Sequence, residues 1–181
     1  MKITHQNILS LEETERLLNY ELISKCIREI YECNKLVIFG IGASNVVAKD
    51  AKLKFTRINK LPYVSEDWHT QLLTARNMSE KDLAIVISYS GETEEMIKCV
   101  KAAKENRAKI ISITKTGDSS IEKLADYPLY IPSNELSFRS GAMSSRIAHL
   151  NIIDIIYSGY VNLMHEESLE ILEKTQIKKV R

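Results

Sequence analysis

Five short apolar runs, at residues 35–39, 61–65, 83–87, 108–114 and 127–131, alternate along this chain with longer segments of helical period. That alternation constrains the fold more than any other feature. Strands separated by helices pair in parallel, because the crossover returns the chain to the starting edge of the sheet. A parallel sheet is covered on both faces, so its strands read as continuous apolar runs. The pattern predicts an α/β fold: a doubly wound, five-stranded parallel sheet in flavodoxin-like order 2-1-3-4-5, with helices on both faces. Pro128, near the head of the fifth run, fits a strand start or a sheet edge, since proline donates no ladder bond.

Between these strands, helices are expected at 43–58, 67–76, 92–106 and 119–125. Ahead of them Leu18, Leu22, Cys26 and Ile30 recur every fourth residue and predict one helix over 11–33. Ser10 and Glu13 have the spacing of a capping box at its start, which leaves residues 1–10 as a lead-in or linker. A second apolar stripe, Met143, Ile147, Leu150, Ile153 and Tyr157, predicts a long final helix, followed by a polar tail or helix at 164–181. The 181 residues read as a single domain, residues 1–181, with a core at about 11–160. The two stripes exceed what one sheet face needs, which predicts a homodimer or a higher homo-oligomer.

Composition narrows the partners. Apolar residues make up 44% and charged residues 27%, an ordinary globular balance. A net charge of +1 leaves no basic surplus for a chain that would hold DNA by itself. The three cysteines are odd in number and lack C-x-x-C spacing, so neither a disulfide framework nor a zinc site is expected. Cys26 and Cys99 fall in apolar helical patterns and read as small core residues. His5, His69, His149 and His165 are scattered without metal-ligand spacing, so no metal and no cofactor are expected. No apolar run approaches the roughly 20 residues of a membrane span. Residues 1–10 are mostly polar and carry no cleavable signal, so a cytoplasmic location without a membrane partner is expected.

The chemistry concentrates in two loops, Gly40-Ile41-Gly42-Ala43-Ser44 and Ser88-Tyr89-Ser90-Gly91-Glu92-Thr93. Each follows a strand and opens a helix, where backbone N–H groups and hydroxyls can hold a phosphate. The predicted strand order reverses between the first and third strands, and ligands of open parallel sheets bind at such a switch point. Ser44, Ser88, Ser90 and Thr93 are therefore expected around one crevice, although each taken alone also reads as an N-cap. Gly42 is expected to permit close backbone approach, and Gly91 a tight turn. Neither loop carries a lysine, so the cradle is expected to be neutral. Glu92 reads either as a first-turn residue that caps the helix it opens or as a ligand contact, Tyr89 as packing or as a sugar contact. The first loop begins like a dinucleotide fingerprint, but Asn45 stands where the third glycine is needed. An isomerase would require a general base, for which Glu135 is the best carboxylate and His69 the second choice.

The motifs GIGAS at 40–44 and SYSGET at 88–93 resemble the sugar isomerase (SIS) domain, a flavodoxin-like module that binds phosphosugars. The string from Phe138 to Leu150, with Ile153 and Asp154 beyond it, resembles more narrowly the RpiR-type transcriptional regulators, as does Asp67-x-His69-x-Gln71. The resemblance implies a sugar-phosphate effector domain, not an enzyme, with Ser44, Ser88, Ser90 and Thr93 lining the pocket and Ala43 and Tyr89 beside them. It also implies a glutamate contact to the sugar after the last strand, for which Glu135 is the nearest match. Such regulators carry an N-terminal helix-turn-helix domain, and Met1 begins about where that domain ends, so DNA contact is expected only through an absent segment. The alternative is a stand-alone phosphosugar isomerase such as a 6-phospho-3-hexuloisomerase. Those enzymes tend to have Arg where Glu92 stands here, which favours the regulator.

Overall fold

The computed structural model describes residues 2–133 and 142–176. Its strands β1 (Leu36–Phe39), β2 (Leu83–Ile87), β3 (Lys109–Lys115) and β4 (Tyr127–Ile131) lie side by side in that order, all parallel. The edge strand expected at 61–65 shrinks to a single bridge between Tyr63 and Val37. There the Tyr63 N–H donates to Leu36 O at 2.8 Å and the Ile38 N–H donates to Tyr63 O at 2.9 Å. The next rung would join the Gly40 N–H to Ser65 O, but the Gln71 side chain takes the first and the Asn45 and Gln71 amides take the second, so the ladder stops after one rung. With the Tyr63 segment counted beside β1, the spatial order is the flavodoxin-like one.

Every residue of β1 and β2 is buried, as a sheet covered on both faces requires. Side chains alternate between two cores. Leu36, Ile38, Leu83, Ile85, Ile87, Ile111, Ile113, Leu129 and Ile131 face α2 (Tyr20–Glu32), α3 (Ala43–Thr56) and α7 (Ser144–Leu163). Val37, Phe39, Ala84, Val86 and Ile110 face α4 (Trp68–Arg76), α5 (Glu94–Glu105) and α6 (Ser120–Leu124). A short helix α8 (His165–Lys174) follows α7 and packs on it.

The N-terminal expectation is corrected. Residues 2–10 are helical, belonging to α1 (Lys2–Leu17), which packs against α7 and β4. Ser10 does not start a helix. It is buried mid-helix, its carbonyl accepting from Thr14 Oγ1 at 2.6 Å. The true break is at Asn19, whose Oδ1 accepts the Leu22 N–H at 3.0 Å and caps α2. A short amide side chain there captures the backbone donor that a continuous helix would have used.

The two apolar stripes that carried the expectation of an oligomer meet in part within one chain. Ile23, Cys26 and Ile30 of α2 are buried in the same cluster as Ala148, Ile152, Ile153 and Ile156 of α7. Leu18 and Leu22 of the first stripe, and Met143, Ile147, Leu150 and Tyr157 of the second, stay half-buried, so the stripes are only partly covered within one chain.

Candidate functional site

β1 and β2 end side by side, and both loops leave from the same edge of the sheet. Ala43 and Ser44 from the first loop, and Ser88, Tyr89, Ser90 and Thr93 from the second, line one cavity of about 140 Å³. Ile41, Ile87 and Met96 supply its apolar surface, and Ala142, Ser145, Arg146 and His149 close it from α7 and the residues ahead of it. Gly42 and Gly91 do not line it. Glu135 lies outside the described residues.

The second loop is ordered by its own hydrogen bonds. Ser88 is 3% exposed, and its N–H donates to Ile113 O at 3.1 Å, carrying the sheet one residue further. Its hydroxyl lies 3.3 Å from Thr93 Oγ1. Ser90 Oγ accepts the Glu92 N–H at 3.2 Å, a local turn that fixes the loop. Thr93 is the N-cap of α5, yet its side chain makes no capping bond. α3 likewise starts from Gly42, which has no side chain to cap with. By contrast α2, α4 and α6 are capped by Asn19, Asp67 and Ser119. Both helices that begin at the cavity lack a side-chain cap, but α3 closes its first turn itself, the Ser44 N–H donating to Ile41 O at 3.2 Å and the Asn45 N–H to Gly42 O at 3.0 Å. The amides left to a ligand or to water are therefore those that open α5.

The glycines divide the work differently from the expectation. Gly42 has φ of 59° with open space where a Cβ would stand, so its role is conformational and not close approach. Close approach belongs to Gly40, where a Cβ would meet the Ser44 backbone at 3.0 Å. Gly91 meets both demands, with φ of 65° and only 2.5 Å between an added Cβ and Ser119 Cβ.

Asn45 and Gln71 brace the first loop. Gly40 O accepts from Asn45 Nδ2 at 3.1 Å and from Gln71 Nε2 at 3.0 Å, while the Gly40 N–H donates to Gln71 Oε1 at 3.1 Å. The same two amides donate to Ser65 O at 2.8 and 2.9 Å. Asn45, seen in the sequence as a missing glycine, therefore ties the loop to the Tyr63 segment. Asp67 caps α4 through the Thr70 N–H at 2.8 Å. The His69 side chain is 71% exposed and is not among the cavity residues.

Glu92 caps a helix, but not the one it precedes. Its carboxylate accepts the Ser120 N–H at 2.6 Å and the Ser120 hydroxyl at 2.8 Å, at the start of α6. Those bonds, the backbone one foremost, hold its carboxyl below the usual range.

Reasoning along the sequence missed the α7 wall. Arg146 is exposed at the cavity and brings a cation to a cradle expected to be neutral, while Ser145 and His149 are buried. Ser145 and His149 stand four residues apart, polar positions on one helix face beside the apolar stripe. That spacing was the available signal. Lys54 of α3, bridging Asp50 and Asp154, ties α3 to α7.

The SIS domain profile matches residues 29–158, and the chain belongs to that family. An uncharacterised HTH-type transcriptional regulator of Caldanaerobacter subterraneus subsp. tengcongensis is 41% identical over 174 residues, 96% of this chain and 62% of that protein. The chain thus spans about three-fifths of the length of the curated relatives it matches. Its fold is similar to that of Vibrio vulnificus NanR complexed with ManNAc-6P (TM-score 0.89, 22% identity, 96% of this chain and 66% of that one). The sugar isomerase domain of an RpiR transcription factor from Sphaerobacter thermophilus is similar too (TM-score 0.86, 17% identity, 96% and 95% covered). So is a Methanococcus jannaschii protein whose structure infers a 3-hexulose-6-phosphate isomerase function (TM-score 0.76, 21% identity, 99% and 98% covered). At these identities the three structures bear on the fold alone.

Proposed function

We propose that this chain is the phosphosugar-sensing domain of an RpiR-type transcriptional regulator of carbohydrate metabolism. One observation carries the reading: two helices without side-chain caps, α3 and α5, begin at a single cavity lined by Ser44, Ser88, Ser90 and Thr93. Orphan amides and hydroxyls there suit the oxygens of a phosphoryl group, and Arg146 adds charge. The regulators among the relatives support a sensing role, and the ManNAc-6P held by NanR supports the ligand class. In this reading DNA is contacted by a part of the regulator outside the matched 62% of its length, and the sensor works as a homo-oligomer within the cytoplasm. Occupancy and DNA affinity are then reciprocally linked.

The sensor reading is favoured over catalysis because the relatives 35–41% identical to this chain are transcriptional regulators. A thermal-shift screen with pentose, hexose and amino-sugar phosphates tests the proposal. A true ligand at about 100 times its Kd stabilises the chain by roughly 2.7 kcal/mol. No stabilisation by any sugar phosphate overturns it. Aldose–ketose phosphate turnover that Glu135→Gln abolishes, with binding retained, replaces the sensor with an isomerase.

A further inference from the structure

Glu92 stands where a carboxylate is a natural competitor. It lies two positions ahead of α5, among the amides and hydroxyls assigned above to a phosphoryl group, and an anion there accepts from the same N–H groups. The side chain is instead drawn to Ser120, which donates both its N–H and its hydroxyl. Ser120 is the first residue of α6, so its N–H has no acceptor inside that helix. Two further contacts fasten the loop to α6. The Ile121 N–H donates to Gly91 O at 3.1 Å, and Gly91 packs so closely on Ser119 that no side chain fits between them. Lys123 favours the Glu92 charge from the same helix, while Asp118 opposes it. Glu92 is not among the residues that line the cavity.

We propose that Ser120 holds Glu92 out of the ligand cavity, making Glu92 a positioning residue whose two hydrogen bonds to α6 keep the second loop open to an incoming anion. The proposal rests on the phosphosugar reading and adds to it what keeps the protein's own carboxylate from occupying the site.

Ser120→Pro tests it. Proline is favoured at the first helical position, and Ser119 ahead of it is already extended, with φ of −104° and ψ of 155°. The substitution removes both donors and leaves α6 in place. Hydrogen–deuterium exchange is measured over residues 88–93, and calorimetry measures affinity for inorganic phosphate and glucose 6-phosphate. Exchange becomes faster in that loop and probe affinity falls by about three- to tenfold. Adding Glu92→Gln to Ser120→Pro restores the affinity, because the competing charge is gone. A purely structural role for Ser120 is not rescued by a second loss. Unchanged exchange, or weakened binding that Glu92→Gln does not rescue, overturns the proposal. Ser120→Ala, which keeps the N–H, gives the same pattern at smaller size should the proline variant fold poorly. If the wild-type chain binds neither probe, affinity is measured with the sugar phosphate that stabilises it most in the thermal-shift screen; if none does, the phosphosugar reading falls, and the exchange result still judges the anchor by itself.

Discussion

Ser88 and Ser90, two residues apart, hold different positions at the cavity. Ser88 is enclosed with its hydroxyl against Thr93, while Ser90 spends one lone pair on the Glu92 N–H and keeps its proton for a ligand. Ser90→Ala is expected to weaken sugar-phosphate binding by about 1.5–3 kcal/mol, the value of a bond to a charged partner, as measured by calorimetry. Gln71→Leu removes a donor from both Gly40 O and Ser65 O and the acceptor of the Gly40 N–H. It is expected to cost about 1–3 kcal/mol in a urea titration, since buried backbone groups lose their partners. Four site hydroxyls were legible as residue types at the ends of strands. The brace was not, because Gln71 meets Gly40 across 31 positions and nothing local marks the pair.

At the scale of elements, the two loops depend on backbone conformations that side chains resist. Gly91→Ala faces a φ of 65° and a collision with Ser119, whereas Gly42→Ala faces strain alone. Backbone strain costs on the order of 1–3 kcal/mol, so denaturant unfolding should show Gly42→Ala within that range and Gly91→Ala beyond it. Helix and strand periods placed β2 and β4 to the residue, with α3 starting at Ala43 as expected. They failed at the α1–α2 break, where the single expected helix is interrupted by the Asn19 cap. They also overstated the edge segment at Tyr63, where pairing ends because Gln71 and Asn45 occupy the Gly40 N–H and Ser65 O.

For the whole molecule, burial of Cys26 and Cys99 in opposite cores pushes each thiol up from 9.0 to about 12. Above about pH 9 the unfolded chain gives up these protons while the folded chain keeps them. Stability is therefore complete below that pH and falls as pH rises toward the folded value. Urea midpoints at about pH 8 and about pH 10 should differ in the wild type, and less so in a Cys26→Ala, Cys99→Ala variant. Apolar surface for the expected homo-oligomer is offered by the half-buried stripe positions and by Val46 and Leu53 of α3, exposed at 52% and 67%. Light scattering at micromolar concentration is expected to give at least a dimer.

The order of apolar runs and helical periods, fixed by backbone geometry alone, determined a parallel sheet with two hydroxyl-bearing loops at its switch point. Local pattern reaches that far because strand, turn and cap preferences act over a few residues. Packing decided the rest. Only the docking of α7 beside α3 brings Arg146 and His149 to Ser44, about a hundred positions away, and only α6 gives Glu92 a partner other than the ligand site. Such contacts depend on how whole faces fit together, and no short stretch of chain encodes them.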